Sequence, residues 1–251
     1  MAAGEAGVTE LALPHGVLDA FRGAFDFIFQ QRDAVTGGGV QVGGPAEVLH
    51  LTWTQLYVSG LALGGALAVA LPVGLVLGHR GKGELVAVGL GNAGRAIPEL
   101  AVVAFLAAFI GIGLRNVTIA LVILGIPPIL TNTFVAVRQV DRNAVEAAAG
   151  MGMGEAEVIA RVELPLAAPT IMTGVRTAAI NIVATATIAS IVGVPTLGKL
   201  ILGRDTYGDD GVLAGAIMVA LLALGVELAL AAVQRLLTPR GLVLQRAGVG
   251  A

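Results

Sequence analysis

Long apolar segments alternate with short polar ones along most of the chain. Each of five segments is predominantly apolar over about 20 or more residues, the length needed to cross a hydrocarbon core of ~30 Å. These segments are residues 56–77, 85–110, 117–137, 171–192 and 212–233. Glycines, charges and Pro98 interrupt the second segment, and the Pro127-Pro128 pair predicts a kink in the third. The pattern predicts an all-α membrane protein with about five transmembrane helices.

The residues before the first span form a weaker pattern. Apolar side chains recur at helical spacing over residues 17–29, while Asp19, Arg22 and Asp26 take the opposite side. This segment is too short to span, so it predicts either an amphipathic helix at the membrane interface or a helix packed on the protein's own spans. The glycine-rich residues 37–45 that follow predict a flexible linker.

The composition agrees with a membrane location. Of the 251 residues, 56% are hydrophobic and 13% are charged, whereas a soluble domain is nearer half apolar and a quarter charged. Mean hydropathy is +0.89. The formal net charge of −2 gives no indication of a nucleic-acid partner. Cysteine is absent, which excludes disulfides.

No catalytic, metal or cofactor site is predicted. The three histidines are scattered and lack the spacing of metal ligands. Residues 37–44 lack the Lys-Ser/Thr ending of a phosphate-binding loop, and residues 78–83 contain Lys82 but neither the spacing nor the hydroxyl that such a loop needs. The chain is therefore not expected to be an enzyme, and energy from ATP would have to arrive through a partner.

Basic residues indicate how the spans are oriented. Five spans put the two ends on opposite sides, and one side carries Arg80, Lys82, Arg138, Arg142, Arg161, Arg235, Arg240 and Arg246. Basic residues on the other side are diluted by acidic ones. The positive-inside rule then predicts a cytoplasmic C-terminus and an external N-terminus. We expect an external segment over residues 1–50, a membrane domain over 51–237 and a cytoplasmic tail over 238–251.

Residues 141–169 are the longest polar insertion between spans. Asn143 is expected to cap a helix in which Glu146 takes the third position, as in a capping box. Three glycines, at 150, 152 and 154, predict a break. Residues 155–162 restart the helix, and Pro165 and Pro169 are expected to end it. Two short helices joined by a glycine elbow are suited to a groove on another protein.

This stretch resembles the cytoplasmic EAA loop of permease subunits of bacterial ABC importers. The matching residues are Glu146, Ala147, Ala148, Gly152, Leu164 and Pro165. Val162 stands where isoleucine is usual, a mild departure. The resemblance covers roughly residues 52–236. Residues 92–101, 184–201 and 236–242 look most like the osmoprotectant branch, which imports glycine betaine, carnitine, choline and related compounds.

The resemblance implies a type I ABC importer permease fold in the bacterial cytoplasmic (inner) membrane. It implies that the six motif residues couple to an ABC ATPase subunit, which would bind ATP and Mg. It also implies a second permease subunit, identical or sister, and an extracytoplasmic substrate-binding protein. This chain has only one Trp, two Tyr and seven Phe. An aromatic cage for a quaternary ammonium group is therefore expected on the binding protein.

The candidates for the translocation path are Arg95, Pro98, Glu99 and Asn181. Arg95 and Glu99 are four residues apart and can neutralise each other on one helix face, while Pro98 frees a carbonyl nearby. Either this broken helix lines the path, or the two charges form a structural ion pair between spans. Arg176 and Glu227 raise the same question, and Glu227 is expected to have a partner inside the bundle.

Other functions stay open at this point. Within the same class, the alternatives are permeases for methionine, a sulfonate or another small solute. From a different class, an ion-coupled secondary transporter would use Arg95, Glu99 and Glu227 as a charge relay. Inverted repeats would favour that class, and the sequence contains none that we recognise.

Overall fold

The computed structural model describes residues 16–81 and 83–237, with residues 86, 88, 90, 92, 93, 95 and 237 described by their backbone alone. Residues 1–15, Lys82 and the tail expected over 238–251 lie outside this description. The elements in order are α1 (Val17–Phe29), β1 (Gln31–Asp33), β2 (Gln41–Gly43), α2 (Gly44–Arg80), α3 (Glu84–Ala96), α4 (Glu99–Ile110), α5 (Leu114–Arg138), α6 (Arg142–Gly150), α7 (Glu155–Val158), a π-helical turn (Ile159–Glu163), α8 (Leu164–Thr185), a 3-10 turn (Ala186–Val192), α9 (Gly198–Leu202) and α10 (Arg204–Leu237).

Four helical stretches of the described residues are long and apolar enough to cross a membrane: Gly44–Arg80, Leu114–Arg138, Glu155–Val192 and Arg204–Leu236. They contain the first, third, fourth and fifth predicted segments. The second predicted segment is instead two short helices, α3 and α4. The helix breaks here because Ile97 and Pro98 adopt extended conformations and proline has no backbone N–H to donate.

Close contact between α2 and α5 forms the centre of the bundle. A methyl group at Gly74 would lie 2.7 Å from Cβ of Thr133, and one at Gly78 would lie 2.7 Å from Cβ of Val137. Helices in lipid approach this closely where one of them presents glycine. The contact places both helices side by side over much of their length, with α8 packed against them.

Helix α1 has the predicted bounds and packs on the protein's own helices. Phe27 is fully buried in a cluster with Leu200 and Tyr207, and its ring centroid lies 6.1 Å from that of Tyr207. Phe21 and Phe25 on the same helix are exposed. Packing on the bundle therefore accounts for one apolar side of α1 and leaves a second apolar side uncovered in the single chain.

The expected flexible linker forms part of a β-hairpin. Strand β1 pairs antiparallel with β2, and Arg32 lies opposite Val42. Three glycines in the connecting turn have positive φ, a conformation that glycine adopts without steric cost. Helix α2 begins at Gly44, so the boundary expected after residue 50 falls inside a helix. Arg32 anchors the hairpin, because its guanidinium donates a hydrogen bond of 2.6 Å to the carboxylate of Asp210.

Glu47 fastens the start of α2 to the segment that precedes α10. One carboxylate oxygen accepts hydrogen bonds from the Tyr207 hydroxyl at 2.9 Å and from Lys199 Nζ at 3.2 Å. The other accepts from the backbone N–H of Gly43 at 2.9 Å. Hydrogen bonding to Tyr207, with a smaller contribution from Glu47, raises the pKa of Lys199 above its ordinary value. Lys199 is therefore fully charged at neutral pH.

The polar insertion has the predicted form of helix, glycine elbow and helix, with one correction at its start. Asp141, not Asn143, caps α6, because the Asp141 carboxylate accepts from the backbone N–H of Asn143 at 2.9 Å. The capping box expected with Asn143 is therefore absent. Aspartate and asparagine are about equally good caps, so local propensity alone does not separate two such residues placed close together.

A second correction concerns the end of the insertion, because Pro165 and Pro169 do not end the helix. The π-helical turn comes just before Pro165, and Leu164 N–H donates to Ile159 O, so the helix continues through a widened turn that accommodates a residue without a backbone donor. Pro169 lies inside α8, and helices in a membrane tolerate proline there. The second helix of the insertion consequently runs straight into the fourth span.

Candidate functional site

A cavity of about 230 Å³ lies between the break before α4 and the facing parts of α5 and α8. About half of its wall is apolar, and the apolar residues include Ile97, Leu121, Leu124, Pro127, Pro128 and Ile182. Leu124 and Pro128 are near the middle of the 25-residue helix α5. The cavity is therefore far from both ends of the spans.

Four side chains give this cavity a polar strip: Glu99, Thr177, Asn181 and Thr185. The last three are spaced by four residues on α8, a spacing that puts side chains on one helix face. Glu99 is the first residue of α4, and its carboxylate accepts a hydrogen bond from the Thr185 hydroxyl at 2.8 Å. A carboxylate, an amide and two hydroxyls thus meet in the middle of otherwise apolar helices.

The four path candidates from the sequence do not have equal places in the structure. Glu99 and Asn181 line the cavity. Pro98 stands at the helix break, as the residue before α4. Arg95 belongs to α3, and its side chain lies outside the described residues. The expectation that Arg95 and Glu99 share one helix face is wrong, because the break puts them on different helices.

Thr177 and Thr185 were not among the candidates from the sequence, and their four-residue spacing from Asn181 continues to Thr173. Threonine is common in membrane helices, where its hydroxyl usually bonds to a carbonyl of the preceding turn. The sequence therefore gives no reason to single out these two threonines from Thr173, which bonds to Pro169 O. Thr177 and Thr185 differ from Thr173 only in the folded chain, where they line the cavity together with Glu99.

Arg176 and Glu227 form an ion pair between α8 and α10. The pair is extended by Gln234, whose side-chain oxygen accepts from Arg176 at 2.6 Å and whose amide donates to Pro169 O at 2.8 Å. The expected partner of Glu227 inside the bundle is therefore Arg176. Neither residue lines the cavity, so this pair connects two helices and is separate from the polar strip.

The glycine elbow presents an exposed surface. Helix α6 ends in a Schellman motif, in which Gly152 has φ of 89° and the N–H of Met153 donates to Ala148 O at 3.2 Å. Met151 beside it is 73% exposed. Of the six motif residues, Glu146, Ala147, Gly152 and Pro165 are exposed, Leu164 is half-buried and Ala148 is buried.

Ala148 therefore has a different role from its neighbours in the motif. Its side chain is 2% exposed and faces the protein, so it cannot contact a second chain in this arrangement. The exposed residues Glu146 and Ala147 occupy the opposite side of α6. Helix α6 therefore packs one side against α7 and the π-helical turn and leaves the other side open.

Comparison with known proteins gives a family match over most of the chain. Residues 70–240 match the family described as binding-protein-dependent transport system inner membrane component. The carnitine transport permease protein OpuCB of Listeria monocytogenes is 40% identical over 203 residues, which are 80% of this chain and 93% of that protein. The choline transport system permease protein OpuBB of Bacillus subtilis is 38% identical, over 78% of this chain and 91% of that protein.

Solved structures of similar fold are more distant in sequence. An inward-facing structure of the MetNI methionine ABC transporter has a TM-score of 0.67 at 20% identity, covering 78% of this chain and 98% of that one. The crystal structure of an amino acid ABC transporter with histidines has a TM-score of 0.60 at 19% identity, covering 76% and 94%. At these identities the likeness concerns the fold alone.

Proposed function

The chain belongs to the family of binding-protein-dependent transport system inner membrane components, and on that premise we propose that it forms the path for an osmoprotectant of the glycine betaine, carnitine or choline type. Its fold is that of type I ABC importer permeases, and it is a transport component of the inner membrane rather than an enzyme. Family, fold and branch agree with the prediction made from the EAA-like motif.

The substrate class is supported by relatives that share more than a third of their aligned residues with this chain. Proteins named for carnitine, choline and glycine betaine transport are 36–40% identical to it. The methionine and amino acid transporters share the fold at 19–20% identity only. A methionine or sulfonate permease is therefore the weaker alternative.

The polar strip in the cavity is the observation that best supports a translocation path at this place in the chain. Intramembrane polar and charged groups are expensive and face a bundle interior or a water-filled cavity. The solutes named for the relatives are small and carry a quaternary ammonium group, which the Glu99 carboxylate attracts without needing a hydrogen-bond donor. Asn181 and Thr177 offer polar contacts on the facing helix.

A second permease subunit, identical or sister, completes the path. Glu99, Thr177 and Asn181 are exposed in the single chain, and lipid is a poor environment for a carboxylate and an amide. A second permease placed against this side would keep lipid away from the strip and enclose a channel between the two chains. Gly60 and Gly64 on α2 are also exposed and would permit close helix approach.

The glycine elbow is the proposed contact with an ABC ATPase that binds ATP and Mg. Helices α2 and α5 run parallel, because Gly65 approaches Val122 and Gly78 approaches Val137, so the chain would return across the membrane through α3 and α4 and make five crossings. On that path the positive-inside rule favours a cytoplasmic location for residues 141–169 and the C-terminus and an external N-terminus. The exposed side of α6, with Glu146, Ala147 and Met151, fits a cleft on another protein. On the external side, a substrate-binding protein would deliver the solute.

The test is ATP-driven uptake by the reconstituted complex of this permease with its ATPase and binding protein. We expect uptake of at least one of labelled glycine betaine, carnitine and choline, and none of methionine. Uptake of methionine alone would contradict the substrate class. Uptake driven by an ion gradient in the absence of ATP would favour a secondary transporter.

A further inference from the structure

A buried carboxylate joins the elbow to the first span. Glu163, the last residue of the π-helical turn, is 1% exposed. Its Oε2 lies 2.8 Å from Nδ1 of His79, at the end of α2. The two residues are 84 positions apart. Neither lines the cavity nor belongs to the exposed surface of the elbow.

A contribution to folding stability does not explain why the Glu163 carboxylate is buried at this position. The second oxygen of Glu163, Oε1, is buried and has no hydrogen-bond partner among the residues that the structure describes. Burying a carboxylate with incomplete hydrogen bonding is costly, and an apolar side chain of similar size would avoid the cost. A buried polar group that is only partly satisfied is therefore a candidate for a role in the working cycle.

The pair lies at the border between a rigid part of the protein and a less regular one. On the rigid side, Gly78 packs against Val137 with no space for a methyl group, and Val137 shares a buried cluster with Ala167 and Ile171. On the other side, the π-helical turn is wider than an α-helical turn and leads to the glycine elbow. Glu163 is the last residue before the rigid part.

The geometry assigns His79 and Glu163 as positioning residues that transmit displacement of the elbow to α2, an inference that rests on the proposed contact between the elbow and an ATPase. When the ATPase displaces the elbow, the π-helical turn moves with it. The bond from Glu163 to His79 makes the cytoplasmic end of α2 follow. Without that bond the elbow moves while α2 stays, and ATP hydrolysis is separated from transport.

The measurement is the ratio of solute taken up to ATP hydrolysed, in the reconstituted complex, for whichever of the three solutes the wild type transports. His79→Leu removes the bond and is expected to lower the ratio about tenfold, within the range of typical coupling between sites. His79→Asn keeps an amide nitrogen close to the position of Nδ1, and we expect it to retain most of the ratio. Equal ratios in His79→Leu and the wild type would overturn the inference.

A double variant separates coupling from folding. His79→Leu with Glu163→Met removes both polar groups and leaves apolar side chains of similar size, so thermal stability should return to near the wild-type value. The ratio should stay low. If the double variant regains both stability and the wild-type ratio, the pair is structural only.

Gln55→Met is the matched control. Gln55 is a buried polar residue whose side chain donates to Val183 O and accepts from the backbone N–H of Leu197, far from the elbow. This variant should leave the ratio of uptake to ATP hydrolysis unchanged.

The proposed function and the inference fail in different ways. Co-purification of the ATPase is measured on the same samples. If the wild-type permease binds no ATPase, the role of the elbow is wrong. If the ATPase binds to every variant but His79→Leu leaves the ratio of uptake to ATP hydrolysis unchanged, the elbow still contacts the ATPase. In that case the His79–Glu163 pair does not transmit its displacement.

Discussion

The carboxylate of Glu99 accepts a hydrogen bond of 2.8 Å from the hydroxyl of Thr185. This contact connects the start of α4 to the end of α8 across the cavity. Among the described side chains none forms an ion pair with Glu99, which stands in the first turn of α4, where the helix dipole favours a negative charge. Under the proposed function, a cationic solute entering the cavity would bring a positive charge next to this carboxylate.

Replacing Glu99 by glutamine should therefore affect choline more than glycine betaine. Choline is a cation, whereas glycine betaine carries its own carboxylate. We expect the maximal rate of choline uptake to fall about tenfold, equivalent to ~1.4 kcal/mol, with a smaller change for glycine betaine. The measurement is ATP-driven uptake of both solutes at saturating binding protein.

Two comparisons make this prediction specific. Glu84→Gln removes an exposed carboxylate that does not line the cavity and should leave both rates unchanged. The double variant Arg95→Gln with Glu99→Gln tests the alternative of a structural ion pair. If it restores the choline rate that Glu99→Gln lowers, Glu99 serves Arg95 rather than the solute.

The sequence predicted those features that depend on neighbouring residues. Helix α1 has the expected bounds, and the elbow forms at Gly152 because its positive φ favours glycine. Features that depend on distant residues were missed. Arg176 and Glu227 are 51 positions apart, and His79 and Glu163 are 84 apart. No helical periodicity relates such residues, so only the packing of the helices brings them together.

Local competition explains the remaining errors. Asp141 and Asn143 are both good caps, and hydrogen bonding in the folded chain selected the first. Proline usually ends or kinks a regular α-helix, but the π-helical turn before Pro165 widens the hydrogen-bond pattern and the helix continues into α8. Glycines at 37–39 suit either a linker or a hairpin turn, and pairing of the flanking strands decides between them.

Gly152→Leu should prevent coupled uptake while the permease remains in the membrane. Any residue with a Cβ is strained at a φ of 89°, at a cost of about 1–2 kcal/mol, so the elbow should lose its shape and its contact with the ATPase. The matched control is Gly154→Leu, because Gly154 has a φ of −74° and also has no described atom close to an added Cβ. Uptake and co-purification of the ATPase are measured for both variants.

This prediction requires a difference between the two glycines. The Gly154 variant should retain both ATPase binding and uptake. Unchanged ATP-driven uptake in Gly152→Leu would refute the coupling role of the elbow. Loss of both activities in both variants would mean that any bulky side chain on this surface blocks the partner, and that the backbone conformation of Gly152 is not what matters.

The Arg176–Glu227 pair should behave as a structural ion pair. Glu227→Gln leaves the Arg176 guanidinium with a weaker partner in a span, so the temperature of thermal unfolding in detergent should fall. The double variant Arg176→Met with Glu227→Leu removes both charges and should unfold at a higher temperature than Glu227→Gln. If the double variant is as stable as the wild type but takes up no solute, the pair has a role in transport and is not only structural.

Two glycines of α2 should respond in opposite ways to the same added methyl group. Gly74→Ala should lower the free energy of unfolding by about 1–3 kcal/mol, because the new Cβ would lie 2.7 Å from Thr133 Cβ and 3.2 Å from Leu130 O. Gly60→Ala has no described atom within 4 Å and should raise the free energy of unfolding by up to ~1 kcal/mol through helix propensity. SDS-induced unfolding of the purified permease measures both. Equal effects at the two positions would contradict the close approach of α2 and α5.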